Sequence, residues 1–184
     1  MARAFQFKLL RDLGGWWVDL DSCGCRAFVF GESVVLSSEF TREGARPSCS
    51  AMKLPAGHPL ARALHESAAE TPPNRLATDW LPALPWLLST SIDRLGLAER
   101  VRSPTAFDPI PAWAWPLLFS QEESTYIQFL PQSIHAIHCH RSQMIAGRRL
   151  EWADLRLSRG AMLGRLLERN DLWPAATQWF GPAR

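Results

Sequence analysis

Prolines are spread through this chain and not gathered in one tail, which works against long regular elements where they fall. Fourteen prolines are spread over 184 residues, from Pro47 and Pro85 to Pro116 and Pro174. Each lacks a backbone donor and crowds the turn before it, so a proline deep in a helix or central strand is disfavoured. Short elements joined by turns are therefore expected, and a long coiled coil is excluded. Apolar residues make up 47% of the chain and charged residues 21%, which excludes a disordered or collagen-like polymer. The length suits one globular domain with its own core. No apolar run approaches the ~20 residues of a membrane helix. Arg3, Lys8, Arg11 and Asp12 interrupt the amino-terminal apolar stretch, so no signal-peptide core is read there. The expectation is a cytoplasmic protein without a membrane partner.

The first 40 residues read as an antiparallel β-meander. Phe5, Phe7 and Leu9 alternate with Gln6 and Lys8, the period of a half-buried strand. Gly14-Gly15 offers a turn, and Trp16, Val18 and Leu20 then share one face, with Trp17, Asp19 and Asp21 on the other. Ser22 to Gly24 reads as a second turn, Arg26 to Phe30 as a third strand, and Val34 to Leu36 as a fourth. Residues 41–57 lose periodicity and read as a loop. His58 to Ala69 reads as a helix with Pro59 in its first turn. A second helix is expected to start near Pro85 and end near Gly96.

Residues 102–116 carry four prolines with Trp113 and Trp115 among them, the pattern of a linker or recognition loop. Tyr126 to Phe129 and Ile134 to His140 read as a second short strand pair, and Gly160 to Arg169 as a carboxy-terminal amphipathic helix. Strands, central helices, strands and a helix without βαβ alternation indicate an α+β fold. The expected organisation is one compact domain over 1–184. A subdivision would place the meander and helices in 1–101 and the strand pair and basic helix in 117–184, joined by 102–116.

The sharpest chemical pattern is His135-Ala136-Ile137-His138-Cys139-His140. On a strand, alternate side chains share a face, so His138 and His140 can present two imidazoles to one divalent transition metal. Asp19, Asp21, Glu122 or His58 would have to supply a third ligand through the fold. Cys139 faces away from both histidines. His135 shares its face but stands about 13 Å along the strand, so a nucleophilic Cys139 has no evident base. Cys23-Gly24-Cys25 is too tightly spaced for a usual zinc knuckle, and with Cys49 and Cys139 these residues read as free, buried thiols. Asp19 and Asp21 read as the wet face of a strand. No phosphate-binding loop, dinucleotide fingerprint, nucleophile elbow or zinc-protease motif is present, so no cofactor is implied by motif.

Composition supplies the leading functional expectation. Eighteen Arg stand against two Lys, a bias that fits GC-rich bacterial coding, and nine Trp against a single Tyr. Trp and Arg are the residues enriched in binding hot spots. The expected function is a small bacterial accessory or adaptor subunit that binds a protein or peptide, without catalysis. Trp113, Trp115, Trp173 and Trp179 would anchor the partner, and Arg148, Arg149, Arg156 and Arg159 would contact anions. The alternative is a metal-binding protein or metal-dependent enzyme using His138 and His140. A third reading is an RNA- or DNA-binding subunit, since residues 141–184 carry a net charge of +4 beside −2 for the remainder.

Overall fold

The computed structural model describes residues 2–120, 134–140, 158–169, 171 and 174. The chain forms two compact units, one of Met1–Asp19 with Val29–Pro104 and one of Leu20–Phe28 with Thr105–Arg184. The fold is α+β, and every strand pair is antiparallel. No described helix is long and apolar enough to cross a membrane.

The first unit opens with a helix, α1 (Ala2–Asp12), where alternation had suggested a strand. The inward residues are Gln6, Phe7 and Leu10, while Phe5 is 55% exposed. A period near 3.6 therefore wins over the period of two that Phe-Gln-Phe-Lys-Leu imitates. The helix stops at Gly14, whose φ of 66° lies in the left-handed region and whose added Cβ would strike the backbone of Ala56.

Strand β1 (Gly15–Val18) follows and pairs with β4 (Gly44–Leu54), which in turn pairs with β3 (Val35–Thr41). The order β1-β4-β3 is not a sequential meander, because the chain leaves after Val18 and the intervening β2 (Ser22–Gly24) joins the other unit. Ser22 to Gly24 is thus a strand and not a turn, while Arg26 to Phe30 forms no ladder. Residues 44–54, expected as loop, are the central strand. Pro47 misled that reading, yet it pairs with Ser38 where β3 alone flanks β4, a position that tolerates a missing donor.

Helix α2 (Pro59–Glu70) matches the expected span, and His58 Nδ1 caps it by accepting from the Leu60 amide at 3.2 Å. Helix α3 (Leu81–Arg94) begins four residues before Pro85, because a preceding π-helical turn (Leu76–Trp80) already sets the helical path. It ends as the sequence suggests. Gly96 takes a φ of 65°, its amide bonds to Asp93 O, and the Leu97 amide bonds to Ile92 O, a Schellman closure. Phe7, Leu36, Met52, Leu60, Leu64, Leu88 and Ile92 fill the core between these elements.

Beside that core, Arg3 grips both oxygens of Asp19 at 2.7 and 2.6 Å, and also donates to Gln6 Oε1 and Cys49 O. Trp17 Nε1 donates to the same carboxylate at 2.9 Å. This cluster ties α1 to β1 and β4.

The second unit is smaller. Strand β2 pairs with β5 (Ala136–His138), matching Cys23 with Ile137. Helix α4 (Met162–Arg169) buries Met162, Leu163 and Leu166 in an apolar cluster with Ile110, Leu118, Ile134 and Ile137. The 3-10 turns of Ala112–Phe119 supply Leu118 to it, and Ile110, within the expected recognition loop of residues 102–116, is buried there too, so part of that loop is core.

Replacing Arg3 by Ala leaves a mostly buried Asp19 carboxylate with one side-chain donor fewer on each oxygen. The first unit should lose about 1–3 kcal/mol, read as a lower urea midpoint by tryptophan fluorescence. An unchanged midpoint would show that the cluster contributes nothing.

Candidate metal centre

Three separate stretches of the second unit converge on His138. Thr105 to Pro111 is held in place by Phe107, whose ring lies 5.6 Å from Phe28 and 5.8 Å from His135. The His135 amide donates to Ala106 O at 2.8 Å. These contacts carry Asp108 inward, and its side chain has no exposure to solvent. Strand β5 presents His138 opposite Ser22, and the Cys139 amide extends the pairing by donating to Asp21 O at 2.7 Å. His140 then adopts a left-handed φ of 52°, which ends the strand. Its ring turns to lie 4.4 Å from that of His138.

The two histidines therefore meet as the sequence suggests, but by a turn at His140 and not by continued strand alternation. A left-handed conformation costs a residue with a Cβ about 1 kcal/mol or more, although histidine is among the types enriched there.

Asp108 stands against both rings. Its Oδ2 lies 3.4 Å from His138 Nδ1, and its Oδ1 lies 3.0 Å from His140 Nε2. His140 Nε2 also lies 2.6 Å from the Ile110 carbonyl. An Nε2–H can serve only one of these oxygens, and a metal at this nitrogen would have to displace that proton. Asp108 Oδ1 is left buried without a hydrogen-bond donor despite its short separation from the ring nitrogen. On the far side, His138 Nε2 lies 3.2 Å from Asp21 Oδ1. One ligand atom each from Asp108, His138 and His140 falls within a 4.8 Å group.

Burial by itself pulls the His138 pKa down. The hydrogen bonds and negative charges of Asp108 and Asp21 outweigh it and carry the group up to about 10. His138 is thus placed between two carboxylates that favour its protonated form.

The other residues expected at a site fall as follows. Asp19 belongs to the first unit, where Arg3 engages it, and neither Asp19 nor Asp21 lies within a strand. His58 is a helix cap. Glu122, Trp173, Trp179, Arg148, Arg149 and Arg156 lie outside the described residues. Trp113 is 47% exposed, whereas Trp115 is half-buried and meets Phe119 edge-on at 6.2 Å. Arg159 is exposed and pairs with Glu168 at 2.9 Å, a contact of the surface kind that adds little stability. Sequence reasoning missed Asp108. Its signal was an acid between Phe107 and Pro109 in an otherwise apolar, proline-flanked stretch.

All four cysteines are free. Burial pushes the thiols of Cys25 up to about 11 and of Cys49 and Cys139 up to about 12. That favours the protonated, unreactive form over a nucleophile. Among the described residues, no cysteine belongs to a group of three or more side chains placed to hold a metal ion.

No family model, curated protein or solved structure matches the chain.

Two consequences follow for the metal-free protein. The folded pKa of His138 lies above its unfolded value near 6.5, so its contribution is complete below pH 6.5 and lost as pH rises through about 10. Denaturant titrations in chelator should show the stability gap between the wild type and His138→Gln closing over that window. A gap that stays constant would contradict the carboxylate pairing. At pH 8, iodoacetamide should leave Cys49 unmodified in the native chain and label it in urea. Rapid native labelling would refute its burial.

Proposed function

We propose that this chain binds one divalent transition-metal ion through Asp108, His138 and His140. The observation that carries the reading is the buried Asp108 Oδ1, which lacks a donor yet lies 3.0 Å from an imidazole nitrogen. A buried carboxylate oxygen of this kind calls for a proton, a water or a cation.

The spacing supports a cation. An ion about 2.1 Å from each donor, with donor–metal–donor angles between octahedral and tetrahedral, places neighbouring donors about 3.0–3.4 Å apart. Asp108 Oδ2 lies 3.4 Å from His138 Nδ1 and Asp108 Oδ1 lies 3.0 Å from His140 Nε2, separations made by the two oxygens of one carboxylate. One ligand atom from each of the three residues falls within 4.8 Å of the others. Two imidazoles and one carboxylate suit zinc, iron, cobalt or nickel, whereas calcium and magnesium favour shells built from oxygen. Three protein donors leave at least one coordination position for water or a small ligand, as at metal centres that act on substrates and unlike closed structural ones.

Cobalt(II) reports coordination through its visible spectrum. Titration of the metal-free wild type should saturate at one equivalent. His138→Ala, His140→Ala and Asp108→Ala should each weaken binding at least tenfold. No cobalt binding by the folded wild type, or undiminished binding by all three variants, would refute the assignment.

A second reading, partner binding as an adaptor, is favoured by Trp113, a large indole 47% exposed on the 3-10 turns of Ala112–Phe119. Exposed tryptophans of this kind anchor protein interfaces. Native mass spectrometry of the protein purified from its own host should then reveal a bound polypeptide that Trp113→Ala loses. Retention of that polypeptide by the variant would remove Trp113 as the anchor.

A further inference from the structure

We infer that Asp21 is the positioning residue of this centre: it holds the His138 ring by Nε2 so that Nδ1 is the nitrogen presented to the metal. The inference rests on the metal-binding reading and deepens it.

The two nitrogens of His138 face different carboxylates. Nδ1 lies 3.4 Å from Asp108 Oδ2, on the side where His140 also stands, and Nε2 lies 3.2 Å from Asp21 Oδ1. Asp21 comes from a distant part of the chain. It sits in the Leu20–Phe28 excursion, one residue before β2, and its carbonyl accepts from the Cys139 amide at 2.7 Å. The ladder contact fixes where the Asp21 side chain starts, and so where its carboxylate can reach.

A metal-ligating imidazole commonly donates its other N–H to a carboxylate, which selects the tautomer, aims the lone pair and raises the basicity of the ligating nitrogen. Asp21 occupies that place. Without it, His138 loses the acceptor for Nε2–H, and either nitrogen can face the ion. An amide at position 21 can also offer an N–H to Nε2, which would leave the proton on Nδ1 and block the ligating position. Asp21 itself touches neither the ion nor anything bound to it in this arrangement.

The test uses the full chain loaded with zinc, with His138 followed by nitrogen-15 ring spectroscopy and affinity by competition with a chelator. In the wild type, Nε2 should carry the proton and Nδ1 the metal. Asp21→Asn and Asp21→Ala should each weaken zinc about 10–100-fold, with mixed or reversed assignment of the two nitrogens. A purely structural role for Asp21 would lower stability without changing which nitrogen binds. Metal on Nε2 in the wild type overturns the inference without recourse to any variant. Wild-type affinity and Nδ1 ligation in both variants overturn it as well, leaving the metal site intact. If the folded wild type takes up no zinc, the metal reading fails and this inference falls with it.

Discussion

A carboxylate removed entirely from water is the most demanding group in the second unit. An ionised Asp108 costs several kcal/mol to bury unless charge and hydrogen bonds replace its hydration. The unit answers with two imidazoles, and much of its local geometry serves that end. The Phe107 contacts bring the acid inward, the β2–β5 ladder sets the height of His138, and the left-handed backbone at His140 turns the second ring toward the same point. Backbone strain of this sort persists where the surroundings over-determine it, and it clusters at functional sites.

The first unit solves a comparable problem with different chemistry. Asp19 is mostly buried, and a bidentate arginine, reinforced by an indole N–H, hydrogen-bonds its carboxylate. That arrangement gives both oxygens a side-chain donor. Asp108 instead faces softer, titratable partners, and one of its oxygens is left wanting a donor. Two buried acids in one chain thus separate into a structural clasp and a candidate coordination site, and the neighbouring side chains differ in being guanidinium at one and imidazole at the other.

How far the sequence disclosed this depends on the range over which each signal acts. Helices α2 and α4 and the end of α3 were legible because their determinants are local: a proline in a first turn, a glycine in a left-handed cap, leucines at helical spacing. Residues 2–12 misled because Phe5, Phe7 and Leu9 satisfy a strand period over a window too short to discriminate. Packing of Gln6, Phe7 and Leu10 then decided for helix. Strand β4 was hidden by Gly44 and Pro47, whose tolerance depends on which neighbour flanks them. The His138–His140 pair was visible as a motif. Asp21 was visible as a candidate ligand, although it reaches the site from outside the first coordination shell. Asp108 could not be found by spacing at all, since 30 residues and an aromatic anchor bring it to the histidines. A site assembled from positions 21, 108, 138 and 140 is a product of tertiary contact, and periodicity carries no information about it.

A metal held as proposed is bound by nitrogen and oxygen on the Asp108 side of β5, and not by the thiols. X-ray absorption on the zinc-loaded protein distinguishes the two, because zinc–sulfur bonds near 2.3 Å separate cleanly from zinc–nitrogen and zinc–oxygen bonds near 2.0–2.2 Å. A first shell of nitrogen and oxygen alone is expected, with the outer-shell scattering of two imidazole rings. Sulfur in the first shell, or a shell without imidazole, would contradict it.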